Sequence, residues 1–350
     1  MQYRNVGRSG LLVSAIGLGC DNFGWRCDPN ETAAIVQRAF DLGVNLFDTA
    51  DLYGPDGLSE QYLGKALKGF RDDVILATKF VGHSGSSPSP LHMGSSRRHI
   101  MNAVEASLRR LDTDYIDLYQ LHFPHPGAPI DETLRALDDL VRAGKVRYIG
   151  TSNFTGWQIA DASWTARTEH LTRFVSAQNA YNLLDRQIEK ELVPACVQHG
   201  VGILAYFALA SGFLTGKYRP GENKPDGARL SSGEPTTGNL VGIPDAVIRA
   251  SNPEVLRWVT PTSIFNPRNY EQLAKLAAFA QARDHTVLEL AIAWLATRPA
   301  LSSVLVGATR PEQVEQSARA AEWQLTDDEV AELDELTYGA LYLDAVPRVL

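Results

Sequence analysis

Glu31–Gly54 reads ETAAIVQRAFDLGVNLFDTADLYG and contains one complete structural unit. Ile35, Val36, Ala39 and Phe40 recur at helical spacing, which predicts a helix over Glu31–Leu42, and Gly43 stands where a C-cap belongs. A short apolar run, Asn45–Asp48, then reads as a strand, and it leads into the polar turn Thr49-Ala50-Asp51-Leu52-Tyr53-Gly54. Helix, strand and polar turn in that order form one step of a parallel sheet wrapped by helices.

The same step recurs along the chain. Strands are expected at Ala15–Gly19, Asn45–Asp48, Val74–Lys79, Ile116–His122, Val146–Ser152, Phe174–Gln178, Gly202–Tyr206 and Ser303–Gly307. A further helix is expected from Asp131, a natural N-cap, through Leu134, Leu137, Leu140 and Val141 to Gly144, and others over Tyr270–Arg283 and Val287–Thr297. Eight strands with intervening helices favour a closed barrel over an open, doubly wound sheet. The expected fold is α/β, a (β/α)8 TIM barrel formed as one domain over residues 1–350. Tyr3–Arg4, the turn Gly7-Arg8-Ser9-Gly10 and Leu11–Ser14 read as a β-hairpin capping its N-terminal end. After the seventh strand, the Pro-, Gly- and Ser-rich stretch Arg219–Gly242 and the segment up to Asn269 read as a long loop of the kind that forms functional lids.

Composition narrows the function. With 44% hydrophobic and 21% charged residues, the 350-residue chain can bury a sizeable core. Its net charge of −8 argues against generic attraction to nucleic acid or anionic membranes and favours a small-molecule substrate. No apolar run reaches the ~18 residues of a membrane span, and MQYRNVGRSG lacks the apolar stretch of a signal peptide, so a cytoplasmic protein is expected. Cys20, Cys27 and Cys196 are too few for a disulfide framework, and no zinc-type spacing is present.

In parallel barrels, chemistry is done at the carboxyl ends of the strands. There the second strand ends in Asp48 and runs on to Tyr53, the third ends in Lys79 and the fourth in His122. Singly, Lys79 reads as a structural ion-pair partner, His122 as a satisfied core histidine and Tyr53 as a packing aromatic. Together, at three consecutive strand ends, they suit proton transfer at a carbonyl oxygen. A phenol with a pKa of about 10 needs a nearby positive charge to act as an acid. Lys79 could supply that charge, Asp48 could orient Lys79, and a neutral His122 could hydrogen-bond the oxygen. No side chain is an electron source, so the hydride has to come from a cofactor.

The segments FDTADLYG (Phe47–Gly54), ATKF (Ala77–Phe80) and QLHFP (Gln120–Pro124) resemble the signatures of the aldo-keto reductases, a likeness that runs from Val13 to about Leu336. The resemblance implies a hairpin-capped (β/α)8 barrel and a catalytic tetrad on Asp48, Tyr53, Lys79 and His122. It also implies nicotinamide contacts from Ser152, Asn153 and Gln178, ring stacking on Tyr206, and further cofactor contacts from Leu209, Ser211 and Lys217. Phe207 and Ala208 depart from the family's usual Ser-Pro at those positions, and Gln316-Ser317 stands where Glu-Asn is usual.

An independent argument for a phosphorylated cofactor comes from Gly307-Ala308-Thr309-Arg310-Pro311-Glu312. Thr309 and Glu312 read as a capping box with Pro311 in the first turn, and a helix N-terminus beside an arginine is an anion site. The resemblance assigns Gly307, Thr309, Gln313 and Gln316 to the adenosine end, with Arg310 beside them, and likens Arg229 to a loop arginine over the phosphates. NADP(H) is the expected cofactor. Trp25 and Phe123, with Tyr53 and His122, are expected to wall the substrate pocket, whereas Phe23 reads as a packing residue; Trp258, Phe265 and Arg268 belong to a stretch that could shape substrate choice. The expected activity is reduction of an aldehyde, ketone or keto-sugar, with two alternatives. One is the reverse, dehydrogenase direction; the other is a cofactor-binding regulatory subunit like the relatives attached to potassium channels. Oligomeric state stays open.

Overall fold

A computed structural model describes residues 1–81, 90–230 and 264–341. Eight parallel strands close into a barrel: β3 (Ile16–Gly19), β4 (Leu46–Asp48), β5 (Ile75–Phe80), β6 (Ile116–Leu121), β7 (Val146–Ser152), β8 (Phe174–Ala180), β9 (Gly202–Tyr206) and β10 (Leu301–Gly307). They pair in sequence order, and β10 returns to β3 with Val304 opposite Ile16 and Gly307 opposite Gly19. β1 (Tyr3–Asn5) and β2 (Leu12–Ser14) form an antiparallel hairpin with Tyr3 opposite Ser14. The eight-stranded barrel with its N-terminal hairpin is the architecture expected from the sequence. The expected lid residues 231–263, Trp258 among them, lie outside the described residues.

The strands alternate inward and outward, and this sets up the site. Leu46, Ala77, Leu118, Leu204 and Leu305 point into the barrel and form one apolar cluster with Val6, Leu11 and Val13 of the hairpin. The hairpin therefore plugs the N-terminal end. Two residues further along each strand, on the same inward face, stand Asp48, Lys79, Gln120 and Tyr206. A greasy floor thus lies beneath a polar layer. Gly150 lies where no side chain fits, since a Cβ there would sit 2.0 Å from Ser176 Oγ.

Helices α1 (Pro29–Asp41), α2 (Leu58–Ala66), α3 (Arg97–Leu111), α4 (Ile130–Arg142), α5 (Gly156–Thr168) and α6 (Leu192–His199) cover the outside, followed by helices at Pro267–Gln281, Val287–Ala296, Pro311–Ala320 and Asp327–Leu341. Asp28 caps α1 through a capping box with Glu31, so the helix starts two residues earlier than the apolar pattern suggested. Two expected caps are corrected. α4 starts at Ile130 behind the extended Pro129, so Asp131 lies in the first turn and caps nothing. At the last barrel helix, Pro311 occupies the first helical turn and makes Arg310 the N-cap, so Thr309 and Glu312 form no box. Thr309 is held instead by Gln313 Oε1, which accepts from its backbone N–H at 2.8 Å.

Leu11 is 4% exposed at the centre of the plug. Leu11→Ala is expected to lower unfolding free energy by ~2–4 kcal/mol through the cavity it opens, read as a fall in the urea midpoint at unchanged m-value.

Candidate active site

Lys79 has no exposed surface and Asp48 is 2% exposed. The Lys79 ammonium donates to Asp48 Oδ2 at 2.5 Å, to the Thr49 carbonyl at 2.9 Å and to Tyr53 Oη at 3.3 Å. The other Asp48 oxygen accepts from Gln178 Nε2 at 2.8 Å and from Gln120 Nε2 at 3.0 Å. Each charge is thus surrounded by partners, the condition under which a buried ion pair is tolerated. Tyr53 rides on the turn after β4, which is tied to β5 by Thr49 N–H to Ala77 O and Asp51 N–H to Lys79 O. Its ring meets His122 edge-on at 5.7 Å between centroids.

Burial, and then the negative charge of Asp48, hold the Tyr53 phenol well above its ordinary value. The phenol is therefore protonated throughout the neutral range. His122 is pushed well below its usual value by burial and then by Lys79, so its imidazole is neutral. It is 5% exposed, follows directly after β6, and lies flat on Phe123 at 4.7 Å. Phe123 is itself 2% exposed and backs the imidazole, while Trp25 is 46% exposed on the rim and Phe23 is fully buried.

Beside this cluster, Tyr206 Oη donates to Asn153 Oδ1 at 2.6 Å, and Asn153 Nδ2 donates to the His122 carbonyl at 2.9 Å. Ser152 Oγ donates to the Gln178 carbonyl. A cleft of about 530 Å³, which begins at Phe207, lies between the loop after β9 and the start of the Pro311–Ala320 helix, and Ser152, Asn153, Gln178 and Tyr206 are not among its lining residues. Leu209, Ser211, Lys217, Arg229, Gly307, Thr309, Arg310, Gln313 and Gln316, scattered over a hundred residues of sequence, all line it. Its volume is within the range of cofactor pockets.

The cleft fits a polyanion. Arg26, Lys217, Arg229 and Arg310 all face it. Burial, then Arg26, Arg310 and Arg229, hold Lys217 below its ordinary value, and Arg26 is lowered by burial and then Arg229. Positive groups that depress one another mark a place where negative charge is wanted. The Ser211 hydroxyl is buried there without a hydrogen-bond partner. Arg229 pairs with Asp21, and Arg26 donates to the Gly227 carbonyl, so residues 227–229 are tied to the loop after β3 at the edge of the cleft.

Several of these residues carry no role in the sequence reading. Gln120 lies inside a quoted motif, and the inward period of β6 could have marked it as a second partner of Asp48. Asp21, Asn22 and Arg26 follow the first barrel strand as a polar run, a position that should have drawn attention. Arg319 and Glu289, which also line the cleft, give no local signal because they come from helices that read as amphipathic.

The model of the Aldo/keto reductase family matches residues 15–337. The chain belongs to this family. It is accordingly an oxidoreductase of the aldo-keto reductase type. It is 35% identical over 327 residues to a probable voltage-gated potassium channel subunit beta of Arabidopsis thaliana, covering 92% of each chain. It is 32% identical over 343 residues to L-glyceraldehyde 3-phosphate reductase of Escherichia coli K12, covering 96% of this chain and 92% of the relative. It is 30% identical over 359 residues to versiconal hemiacetal acetate reductase of Aspergillus parasiticus, covering 96% of both. Among the described residues, no helix is long and apolar enough to cross a membrane.

A histidine kept neutral in the folded chain titrates normally once unfolded. Because its folded value lies below the unfolded one of about 6.5, the unfolded state binds the proton more tightly and stability falls as the pH drops below about 6.5. His122→Asn is expected to lose less urea stability than the native chain between pH 7.5 and pH 5; equal losses would contradict the sealed-in imidazole.

Proposed function

We propose that the chain reduces an aldehyde or ketone to an alcohol with NADPH, in the cytoplasm, with Tyr53 as the proton donor. The observation that carries this is the line of contacts from Asp48 through Lys79 to the Tyr53 hydroxyl. The reduced nicotinamide supplies the hydride that no side chain here can give. Ser152, Asn153 and Gln178 would hold its carboxamide, Tyr206 would face its ring, and the phosphates would lie among Ser211, Lys217 and Arg229. Thr309, Arg310, Gln313 and Gln316 would receive the adenosine end.

Tyr53 gives its proton to the carbonyl oxygen as negative charge builds there. The phenolate that remains lies beside the Lys79 ammonium, which is why the proton can leave a group that burial otherwise keeps protonated. Asp48 keeps Lys79 charged and aimed. The neutral His122 offers a hydrogen bond to the same oxygen without competing for the phenol's proton. Trp25 and the phenol side of the rim would shape the apolar wall of the pocket.

NADPH is preferred over NADH in this reading because Arg310 and Thr309 stand at the adenosine end, where a 2′-phosphate would meet them. The substrate is a small carbonyl compound, consistent with relatives named as reductases of L-glyceraldehyde 3-phosphate and of versiconal hemiacetal acetate. A second reading rests on the likeness to potassium channel β subunits: the chain would bind cofactor and act through a protein partner. Cofactor binding without turnover of any carbonyl would favour it.

Two measurements separate these readings. Tyr53→Phe is expected to cut the rate of NADPH oxidation with an aldehyde panel by at least ~100-fold while leaving NADPH affinity, read by fluorescence, almost unchanged. Turnover surviving in that variant would remove Tyr53 from the role. Arg310→Ala is expected to weaken NADPH by ~10-fold and NADH much less, as loss of one charge-assisted contact predicts; equal weakening would place the 2′-phosphate elsewhere.

A further inference from the structure

Asp51 stands on the turn that carries Tyr53, two residues before it, and is 4% exposed. Neither of its carboxyl oxygens has a side-chain partner, and the Val81 backbone amide lies near enough to favour the charged form. The charged and titratable groups around it come from four elements: Glu60 on α2, Arg110 on α3, Lys79 on β5 and Tyr119 on β6. Glu60 is fully buried and already takes the available cation, accepting from Arg110 Nε at 2.6 Å and from Thr78 Oγ1 at 2.6 Å. Lys79 is committed to Asp48. The Tyr119 hydroxyl is buried with no partner. Arg110 packs against Gly57, where a Cβ would lie 2.6 Å from Arg110 Nε.

Two carboxyl groups therefore share one guanidinium, behind the turn that presents the phenol. Both can be accommodated only while one is a neutral acid. Burial, and then the charge of Glu60, push Asp51 up to about 7, so it gains and loses its proton around neutral pH. A charge appearing there meets no cation that is not already paired, Arg110 with Glu60 and Lys79 with Asp48, and the turn is the backbone that carries it. That turn is held by Asp51 N–H to Lys79 O, Tyr53 N–H to Ala50 O and Ser59 N–H to Tyr53 O, with Pro55 and Asp56 exposed at its tip.

We propose that Asp51 is a positioning residue for the reduction: as the neutral acid it seats the Tyr53 turn against Lys79, and its ionisation lifts the turn and draws the phenol away. Asp51 touches neither substrate nor cofactor in this scheme and acts only through Tyr53. The inference rests on the proposed role of Tyr53.

The test follows kcat for NADPH-dependent reduction of 4-nitrobenzaldehyde by the native chain and by Asp51→Asn from pH 6 to pH 8.5. The amide has the shape of the neutral acid and cannot ionise. The kcat of Asp51→Asn divided by that of the native chain is expected to rise ~10-fold or more over this range, because only a few per cent of a group titrating near 7 keeps its proton at the upper end. KM is expected to stay within about twofold at each pH. A ratio constant within twofold would overturn the proposal, since a merely structural Asp51 would shift both pH limits alike. Crystal structures of the native chain at pH 6 and pH 8.5 read the same point without turnover. Tyr53 Oη is expected within about 3.5 Å of Lys79 Nζ at the lower pH and beyond hydrogen-bond reach at the higher. The same separation at both would overturn the positioning role. Failure to reduce any carbonyl would instead sink the proposed activity, and the two structures would still decide the role of Asp51.

Discussion

Lys79 is a long cationic side chain with no exposed surface, set in a barrel whose next layer is made of four leucines and Ala77. Such a charge is tolerable only if a counter-charge and hydrogen-bond acceptors surround it, because stripping an ion of water costs several kcal/mol even after relaxation. Asp48 supplies the counter-charge, the Thr49 carbonyl a second acceptor, and the Tyr53 hydroxyl a third. Gln120 and Gln178 in turn occupy the remaining Asp48 oxygen. The order of the whole rim follows from this pair. It fixes which residues must stand opposite one another on β4, β5, β6 and β8, and it leaves the Tyr53 hydroxyl as the contact that can be given up.

The charge pattern of the molecule is divided along the same lines. The chain as a whole carries −8, yet the cleft beside the ion pair gathers Arg26, Lys217, Arg229 and Arg310. Asp21 offsets part of that charge by pairing with Arg229. A polyanionic ligand entering the cleft would meet arginines now held by a carboxylate and a carbonyl. The buried acid pair behind Tyr53 adds a second electrostatic device, in which the number of protons rather than a bound ligand sets the balance.

Much of this architecture was legible in the amino-acid sequence because each barrel strand is a short apolar run and each ends on a polar residue at the same rim. Asp48, Lys79 and His122 were visible through that coincidence, and the hairpin through its Gly-rich turn. Gly43 and Gly144 marked two helix ends, but two N-cap positions were not legible. Pro129 and Pro311 moved two helix starts by local backbone restriction that outweighed the side-chain pattern around them. Gln120 went unassigned although the two-residue period of its strand sets it on the same inward face as Leu118. Asp51 and Glu60 were unreadable for a deeper reason: their meaning depends on how many cations α3 brings to them, and a sequence does not state that count.

If the buried pair and the phenol act as one unit, the loss from removing one member should include the loss from removing another. The direct measurement is a double-mutant cycle on the single-turnover rate of NADPH oxidation for Asp48→Asn, Tyr53→Phe and the combined variant. The account predicts that the combined variant is no more than about threefold slower than Tyr53→Phe alone, as for groups that work in series. Losses that multiply, with the two substitutions acting independently, would contradict it.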